Sequence, residues 1–106
     1  GSLSAVQPNL RGIISLALQV NASAIIVAHN HPSGSSEPSE SDRLLTQDLI
    51  AACRPLGLQV LDHIIVAEDS TYSFADSGLL DELSLLCLVS GPGVRTLKLS
   101  KRKTSI

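Results

Sequence analysis

The sequence predicts one α/β domain, and three observations carry that prediction. Segments with helical apolar spacing alternate with short β-branched runs in the order helix, strand, helix, strand, strand, helix. Proline, glycine and serine cluster between these segments rather than inside them. With 106 residues, the chain is long enough to bury a single core but not two.

The elements follow in order. Pro8 and Asn9 read as a helix entry, and Leu10, Ile13, Ile14, Ala17 and Leu18 then recur on one helical face up to Asn21. "SAIIVAH", residues 23–29, is continuous and apolar, which predicts a strand buried on both faces. Residues 30–38, with two prolines and a glycine, predict a loop. "SESD", residues 39–42, is a capping-box pattern ahead of "RLLTQDLIAAC", predicting a helix over about residues 40–54 with Leu45, Leu49 and Ala52 on one face. Pro55 and Gly57 end it. "LQVLDHIIVA" predicts a second strand and "TYSFA" a short third one, paired with it as a hairpin across "EDS". "DSGLLDELSLLCL" predicts a weak last helix, and the remaining "SGPGVRTLKLSKRKTSI" has no strong periodicity.

Composition narrows the function classes. With one Tyr, one Phe and no Trp, the core is aliphatic and no aromatic platform for stacking single-stranded bases is expected. The net charge is −2, yet residues 1–94 hold three basic residues against all ten acidic ones. Such a body does not suit a duplex-DNA face. Arg95, Lys98, Lys101, Arg102 and Lys103 form a basic tail, to which any direct phosphate contact is confined. Cys53 and Cys87 lie far apart without a CxxC pair and read as buried hydrophobes. No signal peptide is visible, and no apolar run approaches the ~20 residues a membrane span needs. A cytoplasmic protein is the expectation.

The chemistry concentrates in "AHNHPSGSSEPSESDRLLT", residues 28–46. His29 and His31 project to the same side of an extended backbone, at the end of a strand where α/β proteins place their sites. The loop returns Asp42 in the first helical turn. Two imidazoles and a carboxylate can hold zinc with a fourth position open. The plainer reading gives Asp42 and Ser39 sufficient work as partners in a capping box. Contiguous "HNH" does not make the nuclease of that name, whose residues are spread over a different fold. Spacing alone leaves both readings open.

"HNHPSGSSEPSESD", "LDHIIVA" and "YSFADSGLL" resemble the RadC family of bacterial JAB/MPN domains, once named for DNA repair, over about residues 1–80. His-x-His-Pro, six residues, then Ser-x-x-Asp also matches the JAMM metalloprotease signature. The resemblance implies a JAB/MPN (cytidine-deaminase-like) sheet flanked by helices, over residues 1–83, with 84–106 unassigned. It implies Zn2+ as cofactor, His29, His31 and Asp42 as its ligands, and Ser39 as a catalytic group that holds an oxyanion or the attacking water. Asp62 and His63 match a further family motif. Being adjacent on a strand, at most one of them faces the site, as an outer partner that orients a ligand. Asn30 is expected to bond the loop backbone, and Thr46 to back-bond a carbonyl and nothing more. The family signature also includes a general-base glutamate on an early strand. No Glu or Asp precedes His29, and residues 1–10 resemble the segment that follows the opening strands, so the expectation is a domain lacking them. Glu37 and Glu40 sit too close to the ligand loop to replace that base.

Two function classes follow from the resemblance. One is a zinc metallohydrolase acting on peptide or isopeptide bonds of a protein substrate. The other is a catalytically silent MPN-type binding module in repair or mobile-element assemblies. An exposed sheet edge is expected to favour self-association.

Overall fold

In the computed structural model, the described residues are 9–32 and 34–88. They form an α/β unit of three helices and a three-stranded mixed sheet. Helix α1 (Leu10–Gln19) is followed by β1 (Ala24–Asn30), α2 (Glu40–Cys53), β2 (Gln59–Val66) and β3 (Thr71–Ser73), and residues 79–88 form α3. The strand order is β1-β2-β3, with β1 and β2 parallel and β2 and β3 antiparallel. The hairpin and the order of the elements are those the sequence predicts. Pro8 and the basic residues Arg95, Lys98, Lys101, Arg102 and Lys103 lie outside the described residues.

Local chemistry sets the helix ends. Asn9 caps α1, its side chain accepting the Gly12 N–H at 2.7 Å. A 3-10 turn over Arg54–Leu56 carries Pro55 in its first positions and closes on Gly57, whose φ of 75° is readily adopted only without a side chain. Ser39 and Asp42 make the capping box of α2 in full.

The helices pack on the sheet face that carries Val27, His29, His63 and Ile65. Leu49 and Cys53 of α2, Ala17 of α1 and Leu58 form one cluster, with Ile25 and Val27 against it. Ile50, Ile65, Phe74 and the α3 residues Leu79, Leu80, Leu83 and Cys87 form the other. Both cysteines are buried free thiols, and burial raises the pKa of each.

Two expectations are corrected here. The β1 strand is not buried on both faces: Ile26 is 58% exposed, and burial alternates along the strand. The helices lie on one side, and among the described residues no element covers the other, so the continuous apolar run is read out as an alternating one. On α2 the buried face is not that of Leu45 and Ala52. It runs through Asp42, Thr46, Leu49, Ile50 and Cys53, and is polar for its first two turns. That polar end meets the histidines.

Candidate metal centre

Three elements converge. The end of β1 supplies His29, with His31 just beyond it; the first turn of α2 supplies Asp42; the middle of β2 supplies His63. In the parallel register His63 pairs with Val27 and Ile65 with His29, so His63 and His29 occupy the same face, diagonally adjacent.

Asp42 is the hub. His29 Nε2 lies 3.1 Å from Oδ1, and His31 Nε2 lies 2.9 Å from Oδ2. The Ser39 N–H also donates to Oδ2 at 2.9 Å, while Ser39 Oγ accepts the Asp42 N–H at 3.1 Å. The capping box and the histidine contacts thus use one carboxylate together, which two oxygens with about four lone-pair directions allow. Burial pushes the Asp42 carboxyl upward, but the Ser39 backbone and hydroxyl, the His29 charge and the His31 ring outweigh it, and the net pKa is lowered.

His31 Nδ1 lies 2.9 Å from the Ser35 carbonyl oxygen. A carbonyl only accepts, so Nδ1 carries a proton, and Nε2 is the atom that faces Asp42. His29 Nδ1 contacts His63 Nε2 at 3.0 Å. His63 is 1% exposed and stacks on Phe74, with ring centroids 4.5 Å apart and an interplanar angle of 8°. Burial, helped by the nearby His29 charge, lowers its pKa to about 4 against the smaller opposing pull of Asp42 and Asp62. His63 is therefore neutral at physiological pH.

His29, Asp42 and His63 each offer a donor atom, all within 4.8 Å of one another, a group able to hold a metal ion. His31 adjoins that group through its bond to Asp42. Of the adjacent pair on β2, it is His63 that faces the histidines. Asp62 faces away and braces the hairpin: Oδ1 accepts the His63 and Ala75 N–H groups at 2.7 and 2.9 Å, and Oδ2 accepts the Ser73 hydroxyl at 2.6 Å. Burial raises the Asp62 carboxyl pKa, but these bonds bring it below the usual range.

Ser39 is exposed, with its Oγ 3.2 Å from Ser41 Oγ. Glu37 and Glu40 are exposed, Glu40 in the first turn of α2, where a negative charge suits the helix dipole. Asn30 is exposed at the end of β1. Thr46 does more than expected. It donates to the Asp42 carbonyl at 2.8 Å, and its Oγ1 also lies 2.6 Å from His63 Nδ1. The spacing from Asp42 to Thr46 was the available signal, since i and i+4 share a helix face.

This constellation, two imidazoles and a carboxylate gathered at a strand end with a third imidazole behind them, sits on a chain whose residues 1–79 match the family model described as RadC-like JAB domain. That match spans well over half of the sequence, and the chain belongs to the RadC-like JAB domain family.

Proposed function

We propose that this chain carries the zinc site of a JAMM-type metallohydrolase acting on peptide or isopeptide bonds, with His29, His31 and Asp42 as the ligands. The observation that carries the reading is the convergence of both Nε2 atoms on the two oxygens of Asp42, at 3.1 and 2.9 Å. The donor set fits the ion. Imidazole nitrogens and a carboxylate are ordinary zinc ligands, and here two of the first and one of the second are gathered at one strand end. Two imidazoles and one carboxylate also leave a position open, as hydrolytic zinc sites do. Zinc held there supplies Lewis acidity, which polarises a scissile carbonyl and acidifies water enough for attack near neutral pH.

The chain's own groups then have distinct tasks. Asp42, fixed by the Ser39 N–H, holds its carboxylate in place before any cation arrives. Ser39 Oγ, which accepts the Asp42 N–H, keeps its own proton to donate toward a developing oxyanion at the helix start. Among the described residues, Asp42 is the carboxylate that faces the histidines, and as a ligand it is not free to be the base that takes the proton from water. That observation favours a second reading, a scaffold that acts through protein partners.

Metal content tests the site on which the first reading rests. Elemental analysis of the purified protein is expected to give about one zinc per chain, lost in both His29→Ala and Asp42→Ala. No zinc in the parent, even after it is added back, would overturn the metallohydrolase reading and leave the binding module.

A further inference from the structure

The contact between His29 Nδ1 and His63 Nε2 has no direction of its own, because either ring can donate. The residues behind it impose one. Thr46 has a single hydroxyl proton, and its Oγ1 donates to the Asp42 carbonyl oxygen at 2.8 Å. With that proton committed, Thr46 Oγ1 faces His63 Nδ1 at 2.6 Å as an acceptor. The proton in that bond therefore sits on His63 Nδ1. His63 is 1% exposed and lies flat on Phe74, and among the described residues its ring nitrogens hydrogen-bond to a hydroxyl and an imidazole. An unpaired charge there would be costly, so the ring is neutral and its Nε2 is bare. A bare Nε2 must accept from His29, which places a proton on His29 Nδ1 at 3.0 Å.

We infer that Thr46 and His63 are positioning residues. Anchored on the Asp42 backbone carbonyl, they fix the proton of His29 on Nδ1 and so reserve Nε2 as the atom that faces the Asp42 carboxylate. The inference deepens the metal-site reading and rests on it for its purpose. His31 receives the same instruction from the Ser35 carbonyl. The two imidazoles are thus oriented alike by separate means, one through a loop carbonyl and one through a buried chain of three bonds. The inner chain ties the β2 strand to the first turn of α2, so His29 is set by elements that also build the core. The stack on Phe74 keeps the His63 ring plane from turning out of line.

The tautomer itself can be read without any metal. Long-range proton–nitrogen correlation on the metal-free parent at neutral pH is expected to place the His63 proton on Nδ1; a proton on Nε2 overturns the inference. Zinc affinity, measured by competition with a chromophoric chelator, is the second readout. Thr46→Val keeps the shape but removes the acceptor, and is expected to weaken zinc binding about 10–100-fold, the usual scale for partners of metal ligands. Thr46→Ser restores the hydroxyl and is expected to bind within a few-fold of the parent. Equal affinity for parent and Thr46→Val, with both folded by circular dichroism, would overturn the positioning role. A parent that binds no zinc would sink the metal-site reading, while the nitrogen spectrum would still decide the direction of the chain.

Discussion

Lowering the pH should destabilise the metal-free protein through one residue. His63 titrates near 6.5 when exposed and is held down to about 4 in the fold. Between those values the unfolded chain binds a proton that the folded chain refuses, so stability is present above about pH 6.5 and is lost as pH falls toward 4. From a shift of this size the loss between pH 7 and pH 5 is about 2 kcal/mol, and about 3 kcal/mol when the window is complete. The conversion is warranted because the side chain is 1% exposed and water does not screen it. Asp42, whose carboxyl pKa is lowered, contributes a separate loss that begins only as pH falls into the carboxylate range. Urea denaturation at half-unit intervals from pH 7.5 to 4, with chelator present, measures the profile. His63→Gln cannot titrate and should flatten it between pH 7 and 5. Parallel profiles for parent and His63→Gln in that interval would refute the burial argument.

Two further substitutions separate structural work from ligand work. Asp62→Ala removes the acceptor of three hydrogen bonds, two of them from backbone N–H groups; with partial solvent access, the expected cost is about 2 kcal/mol by urea midpoint, and an unchanged midpoint would show that the hairpin does not need the brace. Ser39→Ala removes the cap of α2 and should cost about 1 kcal/mol while zinc content by elemental analysis stays at the parental value; loss of the metal would mean that the cap is what orders Asp42.

How much of this could be read from the chain depends on how local each interaction is. The α2 start was legible because Ser39 and Asp42 satisfy each other within one turn. The helix of residues 10–19 and the hairpin were legible from periodicity and turn residues for the same reason. The exposed face of β1 was not, because the run from Ala24 to Ala28 carries no polar residue to mark which side the helices leave open. Nor could alternation alone assign Asp62 and His63. It says that they face opposite ways, but the face toward α2 is chosen by the parallel register with β1. The sequence marks Thr46 as a back-bonding hydroxyl, which it is. Its second partner lies 17 positions away across the helix–sheet interface, and no pattern within α2 encodes it.

Asp42 has two uses at once, and together they order the site. Ligand carboxylates in flexible loops must be ordered when the cation arrives, at an entropic cost of up to about 2 kcal/mol for a long side chain. Here the rotamer is already set by the Ser39 N–H, and the helix gains its cap from the reciprocal bond, the Asp42 N–H to Ser39 Oγ. His29 belongs to a strand, His63 to its neighbour and Thr46 to the helix packed on that strand, so the histidine pair is held by hydrogen bonds between core elements. A binding site of this kind is a property of the fold's interior, whereas proton transfer from water needs an acceptor that these residues do not include. On the proposed reading, binding and turnover are separable, and a metal-affinity measurement tests the first without depending on the second.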